Sequence, residues 1–262
     1  MQILVTNDDG VYAPGIRALA HALLTAGHQV TVVCPNQERS AASSALTIND
    51  PLRVERVQDI FDPDVAVWAV SGTPADSVKL GLNALLPAPP DAVVSGINWG
   101  PNLGTDVFYS GTVSAAMEGY LEGLPSLAIS LVTHNETPDF AAPARLVAQL
   151  IDHLPQCPLA APYLLNVNLP AVAELSLAMV RFTRLGTRRY RDLFEKRVDP
   201  RGRIYYWLAG TVIEEPPSDS PLTDIRAITQ KLIPITPLNC DLGCTASLET
   251  MQASPWLGDR SE

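Results

Sequence analysis

The chain has 262 residues, 47% of them hydrophobic and 18% charged, enough apolar material for a sizeable core and too little charge for wholesale disorder. Its 28 acidic and 18 basic residues leave a formal charge of -10, which excludes general nucleic-acid binding through a basic footprint. It does not exclude a small phosphate ester, whose charge can be met locally by a metal and by backbone N–H groups.

Residues 3–6 (Ile-Leu-Val-Thr) read as a buried strand ending on Asn7-Asp8-Asp9-Gly10, after which Pro14 opens a helix over 14–26. A buried strand has no structural need for two carboxylates at its tip, because adjacent like charges repel and raise each other's pKa. A positive partner is expected there, and a bound divalent cation is the simplest. Further strands are expected at 29–34, 65–70, 92–95 and 126–132, with helices at 74–86, 112–122 and 138–153. Thr73-Pro74 with Asp76 supplies an N-cap, an N1 proline and an acidic N3 residue, and Thr137-Pro138 repeats the pair. Short apolar strands alternating with helices predict an α/β fold, a mostly parallel, doubly wound sheet sandwiched by helices.

After strands at 163–169 and 179–183, the stretch 186–237 is rich in proline, arginine and aspartate, with extended pieces at 203–208 and 232–236. It reads as β-hairpins projecting from the core, with a tip at 216–221 and a last helix at 246–257. Residues 1–170 are thus expected to form the catalytic core. Residues 171–262 are expected to form a hairpin-and-helix extension for oligomerisation that does not fold independently. No signal or transit-type segment precedes the first strand, and no apolar run nears the roughly 18 residues of a membrane span. The expected location is the cytoplasm, without a membrane partner.

Ligands of open α/β sheets bind beyond the carboxyl ends of the strands near a topological switch point. Three loops are expected there: Asn7-Asp8-Asp9, the segment Arg39-Ser40-Ala41-Ala42-Ser43-Ser44, and Gly96-Ile97-Asn98-Trp99-Gly100-Pro101-Asn102. They offer carboxylate, hydroxyl and amide oxygens without thiol or imidazole, a set that favours Mg²⁺ or Mn²⁺ over zinc or copper. Asp8 and Asp9 would supply the charge, Ser40 and Asn98 neutral oxygens. The turn Ser110-Gly111-Thr112 opens a helix and offers unpaired N–H groups and hydroxyls to a phosphate. Trp99 and Tyr109 adjoin this site and suit either stacking on a base or core packing. Gly10 to Gly15 lacks the Lys-Ser/Thr of a P-loop, and no GxGxxG follows the first strand. Cys34 reads as core, Cys240 and Cys244 have no second metal-binding pair, and the four histidines are scattered.

Taken together, several segments resemble the survival protein E (SurE) family of metal-dependent phosphatases, usually described as 5′-nucleotidases. They are Ile3-Leu4-Val5-Thr6-Asn7-Asp8-Asp9-Gly10, Arg39-Ser40-Ala41-Ala42-Ser43, Gly72-Thr73-Pro74-Ala75-Asp76 and Val94-Ser95-Gly96-Ile97-Asn98. Tyr109-Ser110-Gly111-Thr112-Val113, Gly186-Thr187-Arg188, Thr223-Asp224 and Ile235-Thr236-Pro237-Leu238 continue the match. Lys231-Leu232 departs from the Gly-Tyr common in the family at that place.

The resemblance implies a Rossmann-like core, a homodimer or homotetramer built through C-terminal hairpins, and hydrolysis of nucleoside 5′-monophosphates, with 3′-nucleotides and polyphosphate as side substrates. It places one divalent metal on Asp8, Asp9, Ser40 and Asn98, and anion contacts on Asn102, Ser110, Gly111 and Thr112. Asp8, Asp9 and Asn98 are the expected catalytic side chains. Two alternatives stand beside this reading: a phosphatase working through an aspartyl-phosphate, and a non-catalytic nucleotide-binding stress module.

Overall fold

A computed structural model describes residues 1–156, 158–213 and 222–252. The first unit is β1 (Gln2–Thr6), α1 (Pro14–Thr25) and β2 (Gln29–Pro35). A short β3 (Val54–Arg56), then β4 (Ala66–Val70) and α2 (Pro74–Leu80) follow. The chain crosses back through β5 (Ala92–Trp99), α3 (Gly111–Leu121), β6 (Ser126–Val132), α4 (Ala141–His153) and β7 (Leu164–Pro170). The last elements are β8 (Val180–Phe182), the hairpin β9 (Arg189–Val198) and β10 (Ile204–Ile213), α5 (Asp224–Thr229), β11 (Ile233–Leu238) and α6 (Thr245–Gln252).

The main sheet runs β3-β4-β2-β1-β5-β6-β7-β11-β8. Its central pairs from β4 to β7 are parallel, while β3 and β11 run antiparallel to β4 and β7. Strand alternation sends Ile3 and Val5 to the face covered by α1 and α4, and Leu4 to the face covered by α2 and α3. Both faces are therefore dry, as the continuous apolar strands require. Cys34 is fully buried, and burial pushes its thiol pKa up, in keeping with a core residue. Because β1 pairs with β2 on one side and β5 on the other, the topological switch lies between β1 and β5.

Local chemistry explains both agreements and departures. Thr73 Oγ1 accepts from Asp76 N at 3.1 Å while Asp76 Oδ2 accepts from Thr73 N at 2.9 Å, a complete capping box. Beyond Leu80 the helix widens into a π turn over Gly81–Leu85. The Thr137-Pro138 pair does not start a helix. Asn135 Oδ1 accepts from Thr137 N at 3.1 Å in a local turn, and Asp139 Oδ1 meets Ala141 N at 2.8 Å, so α4 begins at Ala141. The hairpin β9–β10 turns at 199–202, where Asp199 N donates to Arg203 O at 2.9 Å; the expected tip at 216–221 lies outside the described residues. The last helix, α6, begins at Thr245, and residues 253–257 of the expected span also lie outside the described residues. Among the described residues, no helix is long and apolar enough to cross a membrane.

Candidate active site

The strand tips on both sides of the switch build the site. β5 continues past the expected end at Ser95 to Trp99, with a register shift against β6 between Ser95 and Asn98. Gly96 makes this possible: its φ is +134°, and a Cβ there would stand 2.3 Å from Ile129 O. The irregularity swings Asn98 toward the β1 tip. Gly15, at the start of α1, lets the helix approach equally closely, since a Cβ there would lie 2.1 Å from Ile97 O.

Asp8, Asp9, Ser40, Asn98, Asn102 and Ser110 all line one open pocket of about 630 Å³. The three loops expected at this edge do meet there. Asp8 is 4% exposed, and its Oδ1 accepts from Thr112 Oγ1 at 2.5 Å. Burial raises the Asp8 pKa, and the Thr112 hydroxyl and N–H only partly oppose that rise. Asp9 is pushed up to about 7, first by burial and then by the neighbouring Asp8 charge; its Oδ2 accepts from Trp99 N at 3.2 Å. Among the described residues neither aspartate forms a salt bridge with Lys, Arg or His. Asn98 Nδ2 donates to Gly100 O at 3.0 Å, which leaves its Oδ1 as the metal-type donor atom.

Ser40 is exposed at the rim and donates to Glu38 Oε1 at 2.7 Å. Glu38 lines the pocket as a further carboxylate, and its charge adds to the upward push on both aspartates. Sequence reasoning passed over it, although its place two residues before Ser40 in a strand-end loop was a usable signal. Asp106 also reaches the pocket from a 3₁₀ turn, Gly104–Phe108, where it is held by Arg188 Nη1 and Tyr190 Oη, each at 2.7 Å.

The predicted anion contacts divide in two. Ser110 caps α3, accepting from Val113 N at 3.0 Å, and borders the pocket. Gly111 and Thr112 stand behind Asp8 instead: a Cβ on Gly111 would lie 2.7 Å from Asp8 Cβ, and the Thr112 side chain is fully buried with its hydroxyl on Asp8. Asn102 is held deeply. Its N–H donates to Asn168 Oδ1 at 2.9 Å, its carbonyl accepts from Asn166 and Asn168, and its amide nitrogen reaches Ser130 Oγ at 2.8 Å. Because a hydroxyl both donates and accepts, the Asn102 amide can turn either end toward the pocket. Trp99 and Tyr109 are 46% and 69% exposed at the rim, so neither is a core residue. His21 and His28 lie elsewhere, beside Asp62 and Asp152.

No cluster of three or more His, Cys, Asp or Glu side chains with metal-holding geometry occurs among the described residues. A cation here would rest on the two aspartates plus neutral oxygens. That donor set still fits a hard divalent ion, because buried Asp8 and half-buried Asp9 lie side by side, with no salt-bridge counter-charge among the described residues. Fold and site define a doubly wound α/β protein of the phosphate-handling kind, with paired carboxylates at the switch point and a helix start behind them.

The family model described as survival protein SurE matches residues 3–192. Two relatives, each named 5′-nucleotidase SurE, come from Thermosynechococcus vestitus and Synechococcus elongatus. The first is 58% identical over 92% of this chain and 92% of its own length; the second is 54% identical over 92% and 95%. The crystal structure of the SurE protein from Aquifex aeolicus superposes with a TM-score of 0.79 at 35% identity, covering 99% of this chain and all of that one. The chain belongs to the SurE family.

Proposed function

We infer that this protein is a metal-dependent phosphomonoesterase that hydrolyses nucleoside 5′-monophosphates to nucleoside and phosphate. The observation that carries the reading is the uncompensated pair of buried Asp8 and half-buried Asp9 at the mouth of a pocket edged by Ser110 and Asn102. The names of the two relatives supply the nucleotide.

Asp8, Asp9, Asn98 and Ser40 would hold one Mg²⁺ or Mn²⁺. When bound, such an ion neutralises phosphate charge and makes water a stronger nucleophile near neutral pH. The chain's own residues do the positioning. The Thr112 hydroxyl and N–H fix the Asp8 carboxylate and offset part of the upward push of burial on its pKa. Asn102 and Ser110 orient the phosphoryl oxygens for in-line attack by water. With Asp8 enclosed by Thr112 and Gly111, direct attack by water is favoured over an aspartyl-phosphate. Trp99 and Tyr109 offer flat, exposed faces at the rim on which a base can stack.

The test is phosphate release from AMP and GMP with Mn²⁺, Mg²⁺ or EDTA. Release is expected with either metal and none with EDTA. Activity that survives EDTA would refute the metal requirement, and inactivity on every phosphomonoester would leave a binding module. A single turnover in ¹⁸O-water is expected to place the label in phosphate; label in an aspartate would mean a covalent route.

The hairpin extends the reading to assembly. Phe194, Trp207 and Leu208 are each 60–65% exposed on β9 and β10, in a two-stranded sheet separate from the main one. Phe194 and Leu208 share one face of this ribbon and Trp207 lies on the other, and such apolar exposure suits contact with a second copy of the chain, giving a homodimer or homotetramer. Changing Phe194 and Trp207 together to Glu is expected to yield monomers in light scattering. An unchanged oligomer mass would remove the hairpin from the interface.

A further inference from the structure

Asp224, in the Thr223-Asp224 pair, does nothing in the chemistry described above, yet its side chain is fully buried far along the chain from every site residue. Its Oδ2 accepts from Gly104 N at 2.7 Å, while its Oδ1 accepts from Gly186 N at 2.8 Å and from Ile225 N at 2.9 Å. One carboxylate therefore joins the loop that runs from Asn102 to Ser110 to the segment that leads into the hairpin. The surrounding packing leaves no slack. Gly104 has φ +53°, and a Cβ on it would stand 2.9 Å from Gly186 O; a Cβ on Gly186 would stand 2.6 Å from Ile225 Cδ1.

Further contacts run along the same seam. Thr105 Oγ1 donates to Arg188 O at 2.5 Å, and Arg188 and Tyr190 both hold Asp106, which faces the pocket. The first part of the pocket loop is thus fastened twice, at Asn102 by β6 and β7 and at Gly104 by Asp224. Asp8 and Asp9 follow the end of β1 and Asn98 stands on β5, and their side-chain hydrogen bonds go to Thr112, Trp99 and Gly100 rather than to this seam.

We propose that Asp224 is a positioning residue for the hydrolytic site: by gripping Gly104 and Gly186 together it sets the pocket loop where Asn102 and Ser110 meet the phosphate, and it couples that loop to the hairpin. The proposal rests on the phosphomonoesterase reading above. A neutral amide cannot replace this carboxylate, because Asp224→Asn turns an NH₂ group toward one of the backbone N–H donors. The loop then shifts, and a displacement of about 1 Å at a reacting group costs on the order of 10–100-fold in rate.

The experiment compares wild type, Asp224→Asn, Gly104→Ala and Thr223→Ala. Gly104→Ala pushes the loop off Gly186 while keeping the carboxylate. Thr223→Ala removes the cap of α5, whose Oγ1 accepts from Arg226 N at 3.3 Å, and keeps the Gly104 contact. Inorganic phosphate and Mn²⁺ affinities are read by calorimetry, phosphate titrated into the Mn²⁺-loaded protein, alongside kcat and KM for AMP. For Asp224→Asn and Gly104→Ala, phosphate affinity and kcat are expected to fall about ten-fold or more, with Mn²⁺ affinity within about two-fold of wild type. Thr223→Ala is expected to keep all of these near wild type.

Phosphate affinity and kcat unchanged in Asp224→Asn overturn the proposal, as does an equal loss in Thr223→Ala. If Asp224→Asn does not fold, the same two readouts in Gly104→Ala decide. A wild-type protein that binds phosphate but releases none from AMP counts against the nucleotidase reading alone, and the binding comparison still judges Asp224.

Discussion

Asp8→Asn is expected to lower kcat for AMP by about 10³-fold or more while the metal-free protein becomes harder to melt. Both effects come from one carboxylate. Asp8 is 4% exposed and shares a strand tip with Asp9, so its charge is costly unless a cation sits beside it. The asparagine keeps the shape, and its Oδ1 can still accept from Thr112 Oγ1, so the site's framework is retained. What it removes is the charge that would bind the cation. A differential scan of the metal-free variant at pH 8 should show a Tm a few degrees above wild type. Phosphate release near the wild-type rate would sink the metal site, and a lower Tm would show that Asp8 has a structural counter-charge.

The second large effect is a pH-dependent instability of the metal-free protein that Asp9→Asn removes. The Asp9 carboxyl is raised from an ordinary 3.8 to about 7, by burial first and then by Asp8. Between about pH 4 and pH 7 the folded metal-free chain therefore binds more protons than the unfolded chain, so this group's contribution to stability falls as pH rises. Below about pH 4 it imposes no penalty; above about pH 7 the penalty is complete, about 4 kcal/mol. Urea titrations of wild type and Asp9→Asn in EDTA, from pH 4 to 8, should show the variant gaining on wild type across that window. A cation binds the deprotonated pair, so Mn²⁺ should close the gap and bind more tightly as pH rises toward 8. Parallel pH curves for the two proteins in EDTA would contradict the account.

The strand tips were legible because apolar runs ending in polar clusters have few other readings, and that was enough to assemble Asp8, Asp9, Ser40, Asn98, Asn102 and Ser110 at one edge. Direction was not legible. Thr112 looked like a phosphate contact from its place at a helix start, but a buried carboxylate one strand away claims its hydroxyl, and no spacing rule encodes that meeting. Glu38 and Asp106 were passed over because an acidic residue in a polar loop looks like any solvated charge until the fold closes a pocket on it. Short elements escaped for a related reason. β3 is Val-Glu-Arg and α5 spans six residues, too few for either periodicity to register. The false start at Thr137-Pro138 shows a real ambiguity, since the pair serves a local turn as readily as a helix cap.

The hydroxyl behind Asn102 has a consequence for the substrate's own titration. A phosphate monoester loses its second proton near pH 6, so a cell presents it as a mixture of monoanion and dianion. The dianion calls for a donor and the monoanion's P–OH for an acceptor. With Ser130 able to complement either end of the amide, Asn102 would meet either form at the proposed phosphate contact. One side chain would thus hold the phosphate in either protonation form, in the same pocket as two aspartates whose pKa values burial raises.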